Sequence, residues 1–233
     1  MPSENTLRKG KRSMRTLALF DFDGTMAPGD SIVTYLRIAR RLGALSKKEY
    51  ARIGRCALKW LRGGMSDQAF KQRALLFRMT LPYPRREALD QCFAQDVLLP
   101  MVYPAARACL EKRRAEGCLT LLVSASTENY MRYVAWGLGF DRLLCTPVSS
   151  SGEVGTNCKG EEKCRRVKAY LVEQGVEADF AVSYAYGNGR SDAPMLAMCG
   201  RPVLVNARFS LKRRFPHAPR ERWTKKTRRP PEK

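Results

Sequence analysis

Residues 16–20, Thr-Leu-Ala-Leu-Phe, form a short apolar run that stops at Asp21-Phe22-Asp23-Gly24-Thr25. This pattern predicts a buried strand followed by a glycine turn. From Asp30 to about Leu99 the period changes. Ile32, Tyr35, Leu36, Ala39 and Leu42 recur at helical spacing, and so do Tyr50, Ile53, Ala57, Trp60 and Leu61. The stripe through Tyr50 and Trp60 reads as the core of this block. Breaks at Gly43, Gly63-Gly64 and Pro82-Tyr83-Pro84 divide it into about four helices.

After Pro104 strands and helices alternate. Helices are expected over about Ala105–Glu116, Glu128–Leu138 and Glu161–Gln174, with another starting near Asp192. Strands are expected over Leu119–Val123, about Leu143–Thr146, Ala181–Tyr186 and Pro202–Val205, and a hairpin turn near Ser150–Gly155. Such alternation predicts an α/β fold, a Rossmann-like parallel sheet with helices on both faces, carrying an inserted all-helical cap. The expected division is a basic, disordered 1–14, a core of 15–29 and 101–217, a cap of 30–100, and a basic, disordered tail over 218–233.

Ligands of an open parallel sheet bind outside the carboxyl ends of its strands. Asp21, Ser124 and Asn188 all stand at predicted strand ends, so polar turns distant in sequence converge on one place. The inserted helices are well placed to cover it.

Composition narrows the reading. The chain of 233 residues has a formal charge of +21, with the excess in both ends and in the 30–100 block. That field favours polyanions, whether phosphorylated substrates, anionic lipid or nucleic acid, without choosing among them. Arg37, Arg40, Arg41 and Lys47 in the cap block read as a solvated face. The eight cysteines are scattered with no C-x-x-C pair, and the sole histidine is His217, so the thiols read as reduced and a zinc site has little support. No apolar run reaches transmembrane length, and 1–15 is basic rather than signal-like. The expected location is cytoplasmic, with peripheral attachment to a membrane as the variant.

The residue types at the strand ends suit phosphoryl transfer. Asp21 can attack as a carboxylate nucleophile, and Asp23 can reach the leaving oxygen as general acid. Carboxylates packed this densely call for a hard cation such as Mg²⁺, to which Asn188 and Asp192 add oxygens. Ser124 and the backbone N–H of Ala125 suit a phosphoryl oxygen, with Ser126 as the rival hydroxyl. Lys163 is favoured over Lys159 to offset the phosphate charge, because Lys159 precedes Gly160 and falls in the loop.

These residues carry a resemblance. Asp-Phe-Asp-Gly-Thr at 21–25 resembles the first motif, D-x-D-G-T/V, of the haloacid dehalogenase superfamily. Leu-Leu-Val-Ser at 121–124, Cys158 to Lys163, and Gly187-Asn188-Gly189-Arg190-Ser191-Asp192 resemble the second, third and fourth motifs. Their order resembles the phosphoserine-phosphatase-like subfamily over about residues 16–207. The resemblance implies a Mg²⁺-dependent phosphatase forming a phospho-aspartate on Asp21. Asp23 would protonate the leaving group and later activate water. The metal would be held by Asp21, the Asp23 carbonyl and the fourth motif, Asn188 and Asp192. The second aspartate argues against halide removal. Asn188 departs from the family's usual Asp and brings an oxygen without charge.

The expected substrate is a small phosphorylated metabolite. The alternatives are a lipid phosphate at a membrane surface, or a weakly active protein that binds RNA or anionic membrane through its basic ends.

Overall fold

The computed structural model describes residues 14–225. Its centre is a six-stranded, wholly parallel sheet in the order β3-β2-β1-β4-β5-β6. The strands are β1 (Leu17–Phe20), β2 (Leu119–Thr127), β3 (Arg142–Thr146), β4 (Tyr184–Gly187), β5 (Arg201–Val205) and β6 (Arg220–Glu221). β1 is buried along its whole length, as a central parallel strand must be. On one face of the sheet pack α6 (Pro104–Ala115) and α7 (Glu128–Leu138), with Phe20, Leu122, Tyr130 and Val134 in the same buried cluster. On the other lie α8 (Glu161–Glu173), α9 (Ala193–Met198) and α10 (Phe209–Arg214), around Leu19, Leu121, Val167 and Leu196.

Between β1 and β2 the chain leaves as helices. These are α1 (Ser31–Arg41), α2 (Lys47–Leu61), α3 (Asp67–Leu75), a 3₁₀ turn over Leu76–Thr80, α4 (Tyr83–Cys92), a π-helical stretch over Phe93–Leu98 and the short α5 (Leu99–Met101). Their starts are written in the sequence. The Asp30 carboxylate accepts the Ile32 and Val33 N–H groups, Ser46 and Glu49 form a capping box, and Ser66 accepts the Ala69 N–H. Among the described residues no helix is long and apolar enough to cross a membrane.

The helical insertion is tied to the core on two sides. On one side Asp90 accepts hydrogen bonds from Tyr35 (2.5 Å) and from Asn129 on α7 (2.7 Å), and pairs with Arg78 inside the cap. On the other, α3 is laced to the loop after β3. Gln68 Nε2 donates to the Val154 carbonyl at 3.0 Å, Gln72 Nε2 to the Gly152 carbonyl at 3.0 Å, and the Val154 N–H to Gln72 Oε1 at 2.7 Å.

Several expectations change. β2 runs through Ser124, Ala125 and Ser126 to Thr127, and its register against β3 shifts in this stretch. β4 begins at Tyr184, because Ala181–Ser183 turn to seat the Ser183 hydroxyl under the Leu17 N–H (2.9 Å). Val148 and Val154 pair antiparallel around the expected turn. Tyr50 is 38% exposed, so it is not cap core, and Trp60 is only partly buried, stacked on Phe70.

The largest correction is at the end of the chain. Disorder expected over 218–233 does not hold for residues up to 225. β6 extends the sheet there, and Trp223 is 4% exposed and stacked near Tyr186. Asn206 clamps it, donating to the Trp223 carbonyl (3.0 Å) and accepting its N–H (3.1 Å). A run dense in Arg and Pro hid this single apolar anchor. The rest of the tail and the basic residues 1–13 lie outside the described residues.

Candidate active site

At the carboxyl ends of β1, β2 and β4 opens a cavity of about 690 Å³ lined by Asp21, Asp23, Ser124, Ala125, Ser126, Lys163 and Asn188. The cap closes it with Asp30, Trp60, Asp67 and Lys71, and loops supply Asn157, Lys159, Arg190 and Arg208. The candidate residues thus come together, with the exception of Asp192, which is 1% exposed and sits behind the wall.

Asp21 follows the last residue of β1. Its Oδ1 accepts from Lys163 Nζ at 2.7 Å, and its Oδ2 from the Thr25 hydroxyl at 2.8 Å. Lys163, from the first turn of α8, donates equally to Asp192 Oδ1 at 2.7 Å and is 1% exposed. Burial would drive such an ammonium to lose its proton, but Asp192 and Asp21 on either side hold its pKa far above the ordinary lysine range. Burial, with the Asp192 charge behind it, raises Asp21 to about 6 against the pull of Lys163 and Thr25. Asp192 spends its other oxygen on the N–H groups of Asn188 (3.1 Å) and Gly189 (3.0 Å). It braces the turn that carries Asn188 and has no oxygen turned to the cavity.

Asp23 has different company. Its Oδ1 accepts the Ser31 N–H at 3.1 Å, and its Oδ2 the hydroxyls of Ser31 (2.9 Å) and Ser126 (2.5 Å). Tyr130 and Ser31 share a further bond of 3.0 Å. With burial first and Asp30 nearby, the Asp23 carboxyl is raised to about 7. Ser126, the rival for the phosphate, is committed to Asp23. Ser124 lines the cavity and its Oγ accepts the Ser126 N–H at 3.0 Å. Lys159 turns away from Asp21 and pairs with Asp67 at 2.6 Å.

Gly24 explains the tight turn. At φ +78° it takes a conformation that L side chains rarely adopt, and a Cβ there would stand 2.0 Å from Asn188 Nδ2. The turns after β1 and β4 therefore touch, which brings the Asn188 amide beside the two aspartates.

A hard cation suits the oxygens gathered here, among them the Asp21 carboxylate and the Asn188 amide. Among the described residues no three His, Cys, Asp or Glu side chains are grouped to hold a metal by themselves. Asp192 gives its oxygens to Lys163 and to the Asn188 and Gly189 N–H groups.

Thr25, Ser31, Lys71 and Asn157 were not read as site residues. Thr25 stands within the first motif. Lys71 left a weak trace as one cation inside the buried stripe Phe70, Ala74, Leu75 of α3. Ser31 and Asn157 left none.

A model of the haloacid dehalogenase-like hydrolases matches residues 18–197. The chain belongs to this family. As a haloacid dehalogenase-like hydrolase it is an enzyme, and it has a named phosphatase among its relatives. The histidinol-phosphatase of Neisseria meningitidis is 23% identical over 206 residues, 83% of this chain and 91% of that protein. A protein of unknown function from Bordetella pertussis superposes with a TM-score of 0.82 at 25% identity, over 89% of this chain and 98% of that one. A phosphoserine phosphatase solved as a phospho-aspartyl intermediate analogue shares the fold, with a TM-score of 0.61 at 16% identity over 89% and 93% of the two chains.

Proposed function

We propose that this hydrolase is a Mg²⁺-dependent phosphomonoesterase that works through a phospho-aspartate on Asp21. The observation that carries the reading is the pair of unlike carboxyl groups. Asp21 is held beside an ammonium, and Asp23 among hydroxyls, at one strand end.

Asp21 attacks phosphorus, the bond from phosphorus to the leaving oxygen breaks, and Asp23 gives that oxygen its proton. Asp23, now a carboxylate, takes a proton from water as the water attacks the phospho-aspartate. The bond between phosphorus and the Asp21 oxygen breaks, and inorganic phosphate leaves. Lys163 and Ser124 lie where they can bind phosphoryl oxygens, with the Ala125 N–H beside them. Mg²⁺ held by Asp21, the Asp23 carbonyl and Asn188 would neutralise charge on those oxygens. The cap would exclude bulk water while the phospho-enzyme forms.

A small phosphorylated metabolite fits the closed cavity best, and the name of the Neisseria relative points the same way. Asp21→Asn should lower turnover of any accepted phosphomonoester by roughly a thousandfold or more, since it removes the carboxylate that forms the phospho-enzyme. Beryllofluoride should bind the wild type and not the variant. Turnover preserved in Asp21→Asn would sink the reading. A substrate panel with soluble and vesicle-borne phosphomonoesters tests the lipid-phosphate alternative in the same assay.

A further inference from the structure

The cap wall of the cavity holds a lysine whose partners are neutral oxygens. Lys71 of α3 is 8% exposed, and its Nζ donates to the Ala125 backbone carbonyl at 2.5 Å and to Asn157 Oδ1 at 2.5 Å. Asp67, Asp23 and Asp30 act on it through space, but among the described residues none forms an ion pair with it. A buried ammonium ordinarily takes a carboxylate, because neutral acceptors return less of the hydration it loses. What Lys71 holds therefore matters.

The carbonyl of Ala125 and the N–H of Ser126 belong to one rigid peptide plane. The carbonyl end is gripped by Lys71 and by the Thr146 hydroxyl at 2.6 Å. The N–H end donates to Ser124 Oγ. Beyond it, the Ser126 hydroxyl holds Asp23. The register shift of β2 falls on this stretch, a place where strands commonly re-aim side chains. One peptide plane thus connects the candidate phosphoryl ligand with the partner of the candidate acid.

We propose that Lys71 is a positioning residue. Its ammonium takes the Ala125 carbonyl and sets the Ala125–Ser126 peptide. Ser124, and through Ser126 also Asp23, are then aimed at the phosphoryl group. Gln68, Gln72 and Asp67 fasten the same helix to the loop after β3. Lys71 is the side chain of α3 that reaches the strand bearing Ser124. The catalytic consequence rests on the phospho-aspartate reading.

Lys71→Met keeps most of the stem and removes the ammonium. We expect kcat to fall by about ten- to a hundredfold, the cost of misplacing reacting groups by a fraction of an ångström to one ångström, with KM nearly unchanged. Lys71→Arg should recover part of the loss. In isotope-labelled protein the Ser126 amide resonance should move in Lys71→Met and return toward its wild-type position in Lys71→Arg. In Gln72→Ala, which loosens α3 without touching β2, it should stay in place. Should Lys71→Met not fold, Lys71→Gln takes its place. Unchanged kcat in the folded variant overturns the proposal, as does a lowered kcat with an unmoved Ser126 resonance. Beryllofluoride binding by the wild type reports on Asp21 separately. Its absence would overturn the phospho-aspartate reading while the Ser126 resonance still tests the grip of Lys71.

Discussion

The core wall and the cap wall of the cavity each bury a lysine, and they treat it in opposite ways. On the core wall Lys163 stands between Asp21 and Asp192, and the carboxylates fix its charge. On the cap wall Lys71 meets a backbone carbonyl and an amide, and burial brings its pKa down to about 8. The core cation is carried by α8 and pairs with carboxylates of the core alone. The cap cation reaches the same site only from α3.

The contrast can be broken first at Lys163. Lys163→Met strands Asp21 and Asp192 without their cation, and losing one member of a buried pair costs about 3–5 kcal/mol. We expect a lower melting temperature, reduced denaturant midpoint and loss of turnover, all measurable on the purified variant. Wild-type stability in that variant would show that the core wall does not depend on its charge.

pH separates the two lysines next. The folded pKa of Lys71, about 8, lies below the 10.5 of a free lysine. Between those values the unfolded chain binds more protons than the folded one, so unfolding free energy gains with rising pH. Asp67, Asp23 and Asp30 oppose the depression, and Lys159 adds to it. Above pH 8 the wild type should therefore gain stability relative to Lys71→Met, by up to about 1.4 kcal/mol per pH unit. Its turnover should fall over the same range as the ammonium is lost. Parallel melting curves of the two proteins from pH 7 to pH 10 check the sign.

The smallest effect concerns the neutral amide of the core wall. Asn188→Asp adds one negative charge beside Asp21, and Mg²⁺ should bind more tightly by on the order of 1 kcal/mol. Titrating the ion into both proteins by calorimetry reads this directly. An unchanged affinity would place Asn188 outside the metal's contacts.

The core wall was legible in the sequence and the cap wall was not. Asp21, Asp23 and Asn188 follow strand ends and Lys163 starts a helix, where position follows from alternation of elements, while Ser124 lies inside the longer β2. Asp192 stands in the expected turn, and its bonds to Lys163 and to the N–H groups of Asn188 and Gly189 are not legible from spacing alone. The cap's contribution depends on how α3 is rotated, and helical periodicity in a block rich in Lys and Arg leaves that open. Lys71 is one cation among many there, and its burial is a tertiary fact. Trp223 was missed for a related reason. Its neighbours read as a solvated tail, yet it follows the edge strand β6 and is held there by Asn206.

The order of the strands has a consequence for how the chain is made. β1 lies at the centre of the sheet, and the Leu17 N–H finds its acceptor in Ser183, 166 residues further along. Its flanking strands, β2 and β4, leave the ribosome long after it does. The helices of the insertion emerge in between, rich in local contacts that form fast. During synthesis this fully buried strand therefore waits while the helical insertion emerges, with the candidate nucleophile Asp21 at its end before there is a site for it to serve.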